Sequence, residues 1–127
     1  MATWTELREQ LKEKYKLTRE EPTWIGLQFG FHDGRYDVFQ QLRIDQVTAL
    51  GQPAVALMAD IADVTRVPYK LALERSMAFE IGGIAINGDL YVARAVLPLS
   101  LEWPVLDAAM VYLAREAARL RETIPAN

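Results

Sequence analysis

Cysteine is absent from the chain, which removes disulfides, thiolate metal sites and cysteine nucleophiles together. The same absence fits a reducing compartment. A single histidine, His32, excludes multi-histidine metal sites. No apolar run approaches the roughly 20 residues that a membrane helix needs. Pro98, Glu102 and Asp107 break the longest ones. The opening stretch MATWTELREQLKEKYKL is charged throughout and does not read as a signal peptide, so the cytoplasm is the expected location. Positive charge is not in excess either. Lys plus Arg total 14 against 17 Asp plus Glu, a net charge of −3, which leaves no global field to hold a polyanion. What the chain has in quantity is apolar surface. Of its 127 residues 51% are hydrophobic and 24% charged, the composition of a single soluble domain (1–127) able to bury a core without staples.

Thr3 and Glu6 have the spacing of a capping box. Leu7, Leu11 and Tyr15 then recur every four residues. Together they predict a helix from Thr3 to Leu17, closed by Pro22. Thr23 to Val47 reads as a hairpin, because Asp33-Gly34 is a favoured two-residue turn. That turn sets a register. Phe31 faces Tyr36, Phe29 faces Val38, Leu27 faces Gln40 and Ile25 faces Leu42, all on one dry side. The wetter side carries Gly30 with Asp37, Gln28 with Phe39, Gly26 with Gln41 and Trp24 with Arg43. Gln40 is out of place on the dry side; Trp24 and Phe39 are out of place on the wet one.

Ala49 to Pro53 reads as a loop and Ala54 to Val64 as a third strand. In that strand Val55, Leu57, Ala59 and Ile61 alternate with Met58 and Asp60. Pro68 opens a short helix from Tyr69 to about Met77, with Leu71 or Leu73 and Met77 as its apolar contacts. Phe79 to Leu97 reads as a second hairpin around Asn87-Gly88. Both of its faces are largely apolar, with Ile84, Tyr91 and Ala93 on one and Ala85, Val92 and Val96 on the other. A hairpin apolar on two sides lies inside a thick domain or in a subunit interface. Ile84, Tyr91 and Val92 are therefore the expected dimer-interface residues. A last helix runs from about Ser100 to Thr123, with Trp103, Leu106, Met110, Leu113, Ala117 and Leu120 as its core stripe.

Catalytic signatures are not found. Gly82-Gly83 and Gly88 lack the spacing of a dinucleotide loop, and the two adjacent glycines suit close approach of a helix to the sheet. His32 sits beside the Asp33-Gly34 turn with no serine or threonine nucleophile near it in sequence. Asp60 and Asp63 fall on opposite faces of a regular strand and make a poor metal pair. No cofactor is implied.

The element order, together with Asp33-Gly34, the strand AVALMADI and the closing stretch LYVARAVLPLSLEWPVLDAAMVYLAREAARL, resembles the YbjN-like family and the class I type III secretion chaperones that share its fold. Leu97-Pro98 matches the step by which such proteins pass from the last strand into the final helix. The resemblance implies a homodimer that binds another polypeptide and catalyses nothing. One departure is the short segment between the third strand and Phe79, where an interface helix would lie. The expected fold is α+β, in the order α-β-β-β-α-β-β-α, with a five-stranded antiparallel sheet packed with helices. Trp24 and Phe39, with Met58 on the neighbouring strand, form the candidate protein-binding patch. The alternative is a small-ligand sensor or enzyme with a pocket between sheet and helices, anchored by Gln40 and Arg94. Nucleic acid has only Trp24, Phe39 and Arg43 in its favour, and stacking on them needs a basic surround that is missing.

Overall fold

The computed structural model describes residues 3–31 and 36–123. His32 and the Asp33-Gly34 turn lie outside the described residues. Helix α1 (Trp4–Lys14) starts where the capping box predicts, with the Thr3 hydroxyl accepting the Glu6 amide at 3.1 Å. Strands β1 (Leu17–Glu21), β2 (Trp24–Phe31), β3 (Tyr36–Arg43), β4 (Thr48–Ala49) and β5 (Gln52–Asp63) follow. After a short 3-10 turn come α2 (Tyr69–Ser76), β6 (Gly83–Asn87), β7 (Leu90–Pro98) and α3 (Trp103–Glu122).

The sheet has seven strands, not five. Its order is β1-β2-β3-β5-β7-β6, antiparallel at every step, and β4 pairs with β5. The two additional strands are β1, which begins at Leu17, where the expected first helix ends, and fills the stretch before Pro22, and β4, which reaches into the expected loop at Ala49. The turn between β4 and β5 is made by Leu50 and Gly51, both at positive φ (53° and 78°). A leucine seldom supplies that conformation, so the sequence carries no ordinary turn signal there.

The β2–β3 register is the one that Asp33-Gly34 sets, pair for pair. In the second hairpin the turn residues are Gly88 and Asp89, and only Gly88 has positive φ. The turn is thus of the glycine-first kind and not centred on Asn87-Gly88. The faces are unchanged, because Ile84 pairs with Ala93 and Ala85 with Val92. Strand β6 begins at Gly83; Phe79 to Gly82 form the approach from α2.

All three helices contribute to one core on one side of the sheet. Leu7 and Leu11 from α1, Ala72 from α2, and Leu106, Met110, Leu113 and Ala117 from α3 join Ile25, Leu27, Val38, Leu42, Leu57, Ala59 and Ala93. The buried alanines of α3 (Ala109, Ala114, Ala117 and Ala118) are strong helix formers. Having only a methyl group, they let the helix lie close to the strands. Helix α3 starts at Trp103, after Glu102, with no side-chain cap, so Ser100 is not its cap. Pro104 sits in the first turn, where its missing amide is harmless.

Candidate functional site

The side of the sheet turned away from the helices is the first candidate. Period-two alternation puts Trp24, Gln28, Phe39, Gln41, Arg43, Met58 and Arg94 there, since their strand neighbours belong to the core. Across the strands, Trp24 pairs with Arg43 and Arg43 with Ala56, which pairs with Val96. In the next row Gly26 pairs with Gln41, Gln41 with Met58, and Met58 with Arg94. The Trp24 ring stands between two guanidinium groups, with Arg19 Cζ at 5.1 Å and Arg43 Cζ at 5.4 Å from its centroid. A guanidinium at that distance is attracted to the face of the ring. Gly26, beside it, accepts the close approach of β1: a Cβ there would lie 2.8 Å from the Thr18 hydroxyl. Phe39 is 51% exposed, and Met58 is half-buried. The three predicted protein-binding residues thus share one surface, with Gln41 between Phe39 and Arg43 on β3.

The second candidate is α2 together with the free edge of the sheet at β6. Tyr69, Leu73 and Met77 recur every four residues and are all exposed, and Ile86 on β6 is exposed as well. Leu71, Leu73 and Met77 do not serve as the buried contacts of α2; Ala72 does, at 3% exposure. Seating the helix by an alanine brings it near β6. The Ser76 hydroxyl accepts the Ile84 amide at 2.8 Å, and a Cβ on Gly83 would lie 2.5 Å from that oxygen. Gly82 has φ +64°, and a Cβ there would fall 2.1 Å from the Arg94 carbonyl oxygen. Of the residues expected at a dimer interface, Tyr91 and Val92 are buried within the chain and Ile84 is half-buried. The Tyr91 hydroxyl donates to the Val67 carbonyl at 3.0 Å, and its ring meets Tyr69 edge-on with centroids 6.3 Å apart. The apolar surface that another chain can reach in this region belongs to the neighbours of those three residues, which sequence pattern alone did not single out. Their signal was the four-residue spacing Tyr69, Leu73, Met77.

The polar anchors of the alternative reading do not meet. Gln40 is buried on the helix side, where its amide donates to the Met110 carbonyl at 3.0 Å, and its Oε1 has no partner. Arg94 is exposed on the other side. Between sheet and helices, the gap lined by Ile61, Val67, Ala72, Ile84, Tyr91 and Leu120 holds about 10 Å³, at or below what one water requires. Asp63 is engaged locally, its carboxylate accepting the amide and the hydroxyl of Thr65, which hold it below the usual carboxylate range. Asp60 is half-buried. Burial pushes its carboxyl up, against the opposing pull of Arg121. Among the described residues no group of three His, Asp or Glu side chains is placed to hold a metal ion, and no helix is long and apolar enough to cross a membrane.

No known family's sequence profile matches the chain, and no curated protein matches it. A solved structure does. A chain in the structure of the HopA1–SchA chaperone–effector complex superposes with a TM-score of 0.63 at 17% identity, over 91% of this chain and 88% of that one. The likeness spans the helices and the sheet together. The chain therefore has the α+β fold of a protein from a chaperone–effector assembly.

Proposed function

We propose that the protein is a non-catalytic protein-binding module, chaperone-like or regulatory, that works as a homodimer in the cytoplasm. The observation that carries this reading is the bare sheet face, where Trp24, Phe39 and Met58 stand together with no helix over them among the described residues. Aromatic rings on a rigid sheet, next to an adaptable methionine, suit the capture of a polypeptide segment. The superposed chain comes from a complex of a chaperone with its effector, which supports a polypeptide as the partner. For the homodimer the supporting surface is α2 with β6, where Tyr69, Leu73, Met77 and Ile86 are exposed side by side in the fold. Ile84 and Tyr91 then act from beneath, as the support of that surface, while Val92 turns to the other face of the sheet.

Two variants test the reading. Trp24→Ser with Phe39→Ser should leave the circular dichroism spectrum and the dimer mass unchanged while polypeptide capture fails. Leu73→Glu with Met77→Glu should give a folded monomer by sedimentation equilibrium. A wild-type protein that sediments as a monomer at high micromolar concentration removes the homodimer. Loss of fold in the first variant returns Trp24 and Phe39 to the core.

A further inference from the structure

Leu50 bears two costs at once. Its apolar side chain is wholly exposed, and it holds a φ of 53°, followed by Gly51 at 78°. Positive φ at both central residues of a two-residue hairpin turn is the type I′ pattern, which Asn-Gly satisfies and a leucine strains. Strain of this kind collects at ligand clamps, and Leu50 borders a groove. The groove holds about 560 Å³, within the roughly 300–1,000 Å³ of ordinary binding clefts. Leu50, Pro53, Pro98 and Leu99 form its apolar wall, Thr3 and Ser100 close it toward the helices, and none of the described residues lining it is charged. The Leu99 amide donates to the Pro53 carbonyl at 3.2 Å, which ties the two sides of the floor together. Pro53 and Pro98 carry no amide hydrogen, so this floor offers apolar contact and no rung for an added strand. One helical turn on from Thr3, and two residues on from Ser100, lies a smaller recess of about 190 Å³. Glu6, Glu102 and Trp103 border it, and no described lysine or arginine lines either hollow.

Resting on the proposed protein-binding role, we infer that this groove is a second hold on the partner polypeptide, taking an apolar side chain against Leu50, Pro53, Pro98 and Leu99 with a lysine or arginine beside it, over Glu6 and Glu102. The apolar wall selects the first side chain and charge complementarity selects the second. The eight described residues that line the groove are far fewer than the roughly 20–30 that each side of a stable dimer uses, so a short segment fits it better than a second copy. The exposed Leu50 side chain is then one jaw of the site, which accounts for a leucine in a turn that asparagine would make without strain. The groove shares no residue with the patch of Trp24, Phe39 and Met58 or with α2, so the surfaces can be tested apart.

The probe is a labelled synthetic peptide in which leucine and phenylalanine are followed by two lysines. One twin has glutamates for the lysines; the other has serines for the apolar pair. In fluorescence anisotropy at low salt each twin should bind at least about tenfold more weakly, and the margin over the glutamate twin should shrink as salt is added. Leu50→Asn should weaken the lysine peptide about tenfold and at the same time raise the thermal midpoint by about 2–4 °C, because the turn is relieved. Binding lost while stability is gained cannot come from misfolding. Glu6→Gln should narrow the margin between the lysine and glutamate peptides about threefold. Trp24→Ser with Phe39→Ser should leave the affinity for this peptide unchanged, so that failed polypeptide capture by that variant reports on the bare sheet face alone. Binding that Leu50→Asn does not alter overturns the inference and leaves the protein-binding role standing. Equal binding of the lysine and glutamate peptides overturns it as well. If none of the peptides binds, the inference falls, and the Trp24 and Phe39 variant still decides the protein-binding role. A lower sedimentation mass for Leu50→Asn assigns the groove to a second copy and overturns the inference.

Discussion

At one edge of the sheet β1 carries Thr18, Arg19, Glu20 and Glu21; at the other β6 carries Gly83, Ile84, Ala85 and Ile86. Both edges present backbone groups that no further strand satisfies, and an unguarded edge invites pairing with another chain. The β1 edge is guarded by charge. Arg8 and Lys12 of α1 converge on Glu20, at 2.8 Å and 3.0 Å, and Arg19 pairs with Glu21. The β6 edge has one guard, the Ser76 hydroxyl on the Ile84 amide, and it carries no charged side chain; Ile86 is exposed there beside Asn87. A charged edge and an uncharged, partly apolar edge thus occur in the same sheet, and the difference lies in five residues at each.

The largest effect on this contrast should come from Gly82→Ala. The added methyl group meets the Arg94 carbonyl oxygen and the residue must hold a positive φ, so β6 cannot dock as it does now. A loss of about 3 kcal/mol or more is expected in denaturant unfolding, together with loss of the dimer. Next is Ile86→Lys, which copies the charged edge onto the apolar one. It should weaken the dimer about 30-fold by sedimentation equilibrium with the thermal midpoint nearly unchanged, whereas Thr18→Lys on β1 should do neither. Dimers insensitive to both would show that association does not use this edge. Ser76→Ala removes the one guard of β6 and should lower stability by about 1 kcal/mol, with faster amide exchange at Ile84. The smallest effect belongs to Glu20→Gln. Hydrogen bonds from Arg8 and Lys12 hold the Glu20 carboxyl below its ordinary value of 4.5, so its contribution is present at neutral pH and disappears as the pH falls through the lowered value. The variant should therefore differ slightly from wild type at pH 7, match it in acid, and match it in high salt, where so exposed a pair is screened.

The same contrast explains what the sequence made legible. Strong alternation between Ile25 and Leu42, pinned by a two-residue turn, gave the β2–β3 register residue by residue. It also gave the parity that sets Trp24, Phe39 and Met58 on one face. Strand β1 was invisible because a guarded edge, LTREE, has no apolar alternation to read. Strand β4 was invisible because its turn uses Leu50 in a conformation that leucine rarely adopts. The burial of Tyr91 and Val92 could not be read either. Both lie on β7, which is interior because β5 and β6 flank it, an arrangement that no local pattern states, and α2 docks near Tyr91 through Ala72, leaving its larger side chains outside. The pairing of Arg43 with Trp24 was legible, but the burial of the Arg43 Nε–H was not, since it depends on how the strands around it assemble.

Strand β5 sits between β3 and β7, and these two contacts differ in how far the chain must travel. Its pairing with β3 closes across a short stretch, Gln40 to Ala59 being the widest pair and Arg43 to Ala56 the narrowest. Its pairing with β7 begins no nearer than Asp63 with Leu90, after α2 and β6 have been made. Closing a longer loop is entropically dearer and slower, so folding should proceed from the β2–β3–β5 meander toward β7. A ribosome emitting this chain therefore exposes the strand AVALMADI, with one side unpaired, until Leu90 to Pro98 have emerged. During that interval the nascent chain itself presents an apolar edge and depends on the later strand β7 to close it.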